Sequence, residues 1–165
     1  MDQDRINVQL VCNGKKLELS SNQIIDLLDY ADLSGSEYYD LLNDLAESPN
    51  SEIRERVASH ANISEEVLKK LALDPMYAVR KNVLDQEESV YRLSAEELIE
   101  SANGQSELIK IIFDSIGFSE NHPGSEQLVQ YYSQSSDPCI KKRVSDFINH
   151  PRRRFLGRRR RCNPY

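Results

Sequence analysis

The 165-residue chain has no apolar run approaching the roughly 18 residues that a membrane-spanning helix needs, so no such helix is expected. Its first residues, Met-Asp-Gln-Asp-Arg, lack the basic segment followed by an apolar stretch that marks a secretory signal, which predicts a cytoplasmic protein. Cysteine is scarce: Cys12, Cys139 and Cys162 lie far apart, an odd set without the paired spacing of a zinc site, an iron–sulfur centre or a disulfide framework. Free thiols are expected. His60, His122 and His150 form no helical pair four residues apart, so they are read as surface or capping histidines and not as metal ligands. Carboxylates do adjoin at Glu65-Glu66 and Glu96-Glu97. Neighbours at i and i+1 on a helix diverge, and no nucleophile or histidine accompanies them, so no enzyme, cofactor or small-molecule substrate is expected.

Acidic residues and lysine are missing from Pro151 onward, where seven arginines stand: Arg152, Arg153, Arg154, Arg158, Arg159, Arg160 and Arg161. The overall charge of -6 therefore conceals two electrostatic objects. Fourteen of the 21 basic residues remain to face all 27 acidic ones, a net charge of -13 for residues 1–150. The acidic groups Asp26, Asp29, Asp40, Asp44, Glu47, Glu65, Glu66, Glu96, Glu97 and Glu100 fall mostly on polar helix faces or in first turns, where a solvated face accounts for them.

What the sequence does contain is punctuation. Residues 6–19 alternate around Asn13-Gly14, a pair suited to the two positive φ angles of a type I′ turn, and predict a β-hairpin. With Cys12 opposite Lys15, Leu10 faces Leu17 and Val8 faces Leu19, so Ile6, Val8, Leu10, Leu17 and Leu19 share one face. A lone hairpin is marginal, so that face is expected to pack on the helices that follow. Helix starts are marked by Ser20-Ser21-Asn22-Gln23, Ser34-Gly35-Ser36-Glu37 and Ser94-Ala95-Glu96-Glu97, each of capping-box form, and by Ile63-Ser64 with Leu68, which has the spacing of a hydrophobic staple. Pro49, Pro75, Gly104, Gly117, Pro138 and a loop at Ser119–Ser125 are read as breaks between helices of roughly 8–13 residues.

A repeat organises these helices. At an offset of 26, Leu45-Ala46-Glu47-Ser48-Pro49 aligns with Leu71-Ala72-Leu73-Asp74-Pro75, and Ile53-Arg54 with Val57 aligns with Val79-Arg80 and Val83. The phrase returns with its proline displaced in Asp137-Pro138-Cys139-Ile140-Lys141-Lys142-Arg143-Val144. Aliphatic residues at i and i+4 make the buried stripe of a short helix, which cannot bury its face alone, and stacked helix pairs of this kind predict an α-solenoid. The stretch Val57-Ala58, Asn62–Pro75, Val79-Arg80 and Val83 resembles the leucine-rich-repeat variant family, a bacterial branch of the HEAT-like helical repeats. The resemblance covers about residues 35–86, extends in part to 124–150, and lapses over 87–120. Some members of that family carry an N-terminal cysteine cluster, whereas this region holds only Cys12. In HEAT-like repeats the arginine after the aliphatic ties adjacent units together. The resemblance therefore implies a structural role for Arg54, Arg80 and Lys141, with Asp74 one turn away as a partner.

The fold expected is mostly α: a β-hairpin cap at 1–20, a short HEAT-like α-helical repeat domain at 21–150, and an arginine-rich tail at 151–165. The function expected is a non-enzymatic protein–protein interaction module, an adaptor or scaffold. Tyr38, Tyr39, Tyr131 and Tyr132 are its candidate contact residues, because tyrosine at the rim of a helical face is a common interface anchor. The tail admits phosphates, an acidic partner protein or the chain's own acidic body as its target. Two alternatives accompany the main reading: a nucleic-acid-associated adaptor working through the tail, and a small inhibitory or immunity-type protein whose acidic surface blocks a basic site on its target.

Overall fold

A computed structural model describes residues 8–33, 35, 38–60, 63–118 and 122–149. The tail at 151–165, Ile6, His150 and the Ser34–Glu37 capping box lie wholly or partly outside the described residues. The chain is mostly helical and opens on a two-stranded antiparallel hairpin, β1 (Gln9–Cys12) and β2 (Lys15–Glu18). The register is the expected one, with Leu10 opposite Leu17 and Cys12 opposite Lys15, and the Leu19 amide donates to the Val8 carbonyl at 2.9 Å. Asn13 and Gly14 take φ of 50° and 75°, the left-handed pair that the turn demands.

The expectation that the hairpin's apolar face packs on helices is corrected over most of its length. Leu10 and Leu17 are 54% and 57% exposed, and only Val8 and Leu19, at the base, are half-buried. Only Leu19 and Ser20 separate β2 from α1 (Ser21–Tyr30), and the strands pack chiefly on each other and not on a helix.

Two compact units divide the chain, Met1–Arg92 and Leu93–Tyr165. The division falls inside the helical stretch, where the proline–aliphatic–arginine phrase lapses. In the first unit, α1, α2 (Tyr39–Leu45), α3 (Ser51–Ala58), α4 (Glu65–Ala72), α5 (Tyr77–Leu84) and α6 (Glu87–Arg92) follow one another. Helix α3 packs against α1, α2, α4 and α5, and its stripe of Ile53 and Val57 is buried together with Leu42, Leu45, Leu68, Leu71, Val79 and Val83. Ser20 caps α1 with a complete box: Gln23 N–H donates to its hydroxyl at 3.4 Å and Ser20 N–H donates to Gln23 Oε1 at 2.9 Å. Ser64 caps α4 through Val67 N–H, and Ile63 and Leu68 are both buried as the staple spacing requires.

The second unit holds α7 (Ala95–Ala102), α8 (Ser106–Phe118), α9 (Ser125–Ser133) and α10 (Pro138–Asn149). Its centre is Phe113, which meets Tyr132 and Phe147 edge-on at ring separations of 5.8 and 5.0 Å. Ser94 and Glu97 close the expected capping box on α7. Gly117 does not break a helix as expected. It lies within α8, where a Cβ would meet the Phe147 ring at an ordinary contact distance of 3.7 Å.

His122 is a buried residue of this unit and not a surface one. Gly124 N–H donates to its Nδ1 at 3.0 Å, so Nε2 carries the proton and donates to the Leu93 carbonyl at 3.2 Å. The ring thereby ties the segment before α9 to the start of α7. Gly124 completes that contact: a Cβ there would lie 2.7 Å from Ala95 Cβ, closer than non-bonded carbons approach, and the obstacle is bound to backbone. Gly124→Ala is expected to lower stability by about 1–3 kcal/mol through overpacking, read as a fall in the thermal midpoint. An unchanged midpoint would show that α7 and α9 are not held at this distance.

Candidate functional site

The proline phrases resolve into one local device used three times. At each, the side chain before the proline accepts a hydrogen bond from the amide two residues on: Asn50 N–H to Ser48 Oγ at 3.2 Å, Met76 N–H to Asp74 Oδ1 at 2.8 Å, and Cys139 N–H to Asp137 Oδ1 at 2.7 Å. Proline has no N–H and disfavours helix in the residue before it, so neither α2 nor α4 runs through its proline, and the carbonyls of the turn itself, beyond the reach of the helix's own amides, need partners from elsewhere.

Arginine supplies them in the first two copies. Arg54 Nη1 donates to the Ser48 and Pro49 carbonyls at 2.7 and 3.3 Å, and Arg80 Nη1 donates to the Asp74 and Pro75 carbonyls at 2.7 and 3.1 Å. The same pair of bonds thus recurs 26 residues along the chain. Asp74 links the copies: Arg54 Nε and Nη2 donate to its two oxygens at 2.7 and 3.1 Å, a bidentate pair whose side chains are 14% and 5% exposed. That hydrogen bond raises the Arg54 pKa, with the carboxylate's charge adding to it against the cost of burial. Asp74 therefore serves Arg54 through its carboxylate and Arg80 through its carbonyl.

Lys141, the third copy's basic residue, is exposed. The proline displacement explains it, because Arg54 and Arg80 stand five residues after their prolines and Lys141 only three after Pro138. The residue five after Pro138 is Arg143, which pairs with Asp114 of α8.

Further cross-links in the first unit were not readable as a pattern. Asn82 of α5 donates to the Glu55 carbonyl and to Ser59 Oγ, both at 3.2 Å, Gln86 donates to the Ala58 carbonyl, and Arg92 Nη2 donates to the Ile63 carbonyl at 2.9 Å. Helix α3 ends at Ser59 without a glycine, so its last carbonyls lack a left-handed cap, which is the one sequence signal that outside donors were needed.

The candidate contact tyrosines separate by exposure. Tyr132 is 4% exposed and part of the core, whereas Tyr131 is 55% exposed and packs edge-on against it at 5.1 Å. Tyr39 is 41% exposed, and Tyr38 is half-buried as the N-terminal cap residue of α2. Most of the named acidic residues are exposed, and three pair on the surface: Glu65 with Lys69, Glu47 with Lys70, and Asp29 with Arg56. Among the described residues no group of three histidine, cysteine or acidic side chains is placed to hold a metal, and Cys12 and Cys139 are free and exposed. Three clefts of about 430, 510 and 440 Å³ lie in the second unit, the last lined by Glu96, Ile99, Glu100, Gln127, Gln130 and Tyr131.

His60 follows α3, hydrogen-bonded to the backbone at Leu28. Burial pushes its pKa below the ordinary value, outweighing that bond and the nearby Asp29 charge. The unfolded chain then binds the proton more readily, so the contribution is complete above about pH 6.5 and is lost as pH falls below it. Wild type is expected to lose more of its thermal midpoint than His60→Gln between pH 7.5 and pH 5.5, and equal losses would remove His60 from the balance.

Arg54→Ala strands the buried Asp74 carboxylate and is expected to cost about 3 kcal/mol, and Arg80→Ala about 1–3 kcal/mol through the carbonyls it leaves bare. A double-mutant cycle of Arg54→Ala with Asp74→Ala by urea unfolding is expected to show a coupling of about 1–3 kcal/mol, and additivity would contradict the clamp. No family model, curated protein or solved structure matches the chain in comparison with known proteins.

Proposed function

We propose that the chain is a non-enzymatic protein-binding module built on HEAT-like, leucine-rich-repeat-variant helical repeats, acting as a cytoplasmic adaptor or scaffold. The observation that carries this reading is the recurrence of one contact set at a 26-residue interval, in which Arg54 and Arg80 each close the proline turn before their own helix. A side-chain device repeated at a fixed interval is what stacked helix pairs require, since each pair is held to the next by nearest-neighbour contacts. Arrays of this kind function through extended surfaces, and Tyr39 and Tyr131 place amphipathic anchors in solvent where a partner would meet them.

The test is affinity capture from the source organism after nuclease treatment, comparing wild type with Tyr39→Ala and Tyr131→Ala. A defined protein partner is expected, with at least one variant retaining it about tenfold less well while keeping its thermal midpoint. Retention that disappears with nuclease would overturn the reading and assign the function to nucleic acid. A partner held equally by both variants would remove the tyrosines from the interface.

A further inference from the structure

We propose that the chain's own arginine-rich segment, residues 152–161, docks in the cleft between α7 and α9 of the second unit. The inference goes beyond the repeat-family reading and stands without it. It rests first on shape and lining. The cleft of about 440 Å³ has Ile99 in its lining, Glu96 and Glu100 on one side, and Tyr131 with Gln127 and Gln130 on the other. These are the groups a guanidinium selects: planar carboxylates for paired hydrogen bonds, an exposed aromatic face for stacking, and an apolar surface for the methylene stem.

The second observation is charge. Helices α7 and α9 hold Glu96, Glu97, Glu100 and Glu126 and no lysine or arginine, while the segment holds seven arginines and no acidic residue. The neighbouring cleft between α8 and α10 mixes Lys110, Lys142 and Arg143 with Glu107 and Asp146, so it lacks the uniformly acidic charge of the α7–α9 side.

The third is an unfinished polar group. Tyr131 and Gln134 also line the adjoining cleft of about 510 Å³, together with Asp137 and Tyr132. The buried Tyr132 hydroxyl has no hydrogen-bond partner among the described residues, an arrangement that costs free energy until something supplies one. Reach is sufficient. Helix α10, of 12 residues, is about 18 Å long. The stretch from His150 to Arg158 spans roughly 30 Å when extended, more than the length of α10, at whose start Asp137 lines the adjoining cleft that shares Tyr131 and Gln134 with the proposed one.

Paramagnetic broadening in the full chain tests the placement. A nitroxide is attached at Cys162 with Cys12→Ser and Cys139→Ser, and the amide spectrum reports which residues it approaches. Amides at 96–100 and 127–134 are expected to broaden. The broadening is expected to weaken in Tyr131→Ala and to vanish both in about 0.5 M salt, where charges are screened beyond ~4 Å, and in Glu96→Lys with Glu100→Lys, whose dispersed spectra show them folded. Sharp amides on α7 and α9, broadening that survives the charge reversal, or broadening that arises only between molecules in mixed samples would each overturn the proposal.

Discussion

Arg54 stands between two proline turns, with its guanidinium shared among three partners that no other described side chain brings together. Nη1 takes the Ser48 and Pro49 carbonyls of the turn between α2 and α3, while Nε and Nη2 take the Asp74 carboxylate from the next turn. Asp74 in turn accepts the Met76 amide and offers its own carbonyl to Arg80. A buried ion pair stabilises only when the rest of its hydrogen-bonding capacity is met, and here both charges are saturated by groups that the prolines would otherwise leave bare. The short helices of the first unit depend on this, because none is long enough to be stable by propensity alone.

Much of this was legible in the residues. Asn13-Gly14 fixes the hairpin register through its left-handed angles, and Ser20 with Gln23 and Ser94 with Glu97 mark helix starts, because each device acts over three or four residues. The recurrence of proline, aliphatic and arginine was visible too. The destination of each arginine was not, since Arg54 meets a carboxylate 20 residues away. For the same reason His122, read as a surface or capping residue, gave no sign of the carbonyl 29 residues distant on which it closes, and Asn82 and Gln86 showed nothing of the helix end they cap. Lys141 shows how a matching phrase misleads: the Asp137 turn is preserved, but a two-residue shift of proline moves the basic side chain away from the carbonyls.

Charge is distributed with the same economy. Basic groups of the first unit are spent on carbonyl ends and surface pairs, whereas α7 and α9 of the second unit leave Glu96 and Glu100 beside an exposed Tyr131. Gln127 donates to Glu96, which lowers the carboxyl's pKa and keeps it ionised. A surface so composed suits a cationic, arginine-bearing ligand.

Amide hydrogen exchange in the Arg54→Gln chain probes the clamp most directly, because it reports each turn separately under native conditions. If Arg54 holds both turns, the amides of Asn50 and Met76 lose protection together while Val67 N–H, capped by Ser64, keeps its own. Protection at Met76 equal to that in the wild type would contradict the account, since it would mean that the Asp74 turn stands without its neighbour's arginine.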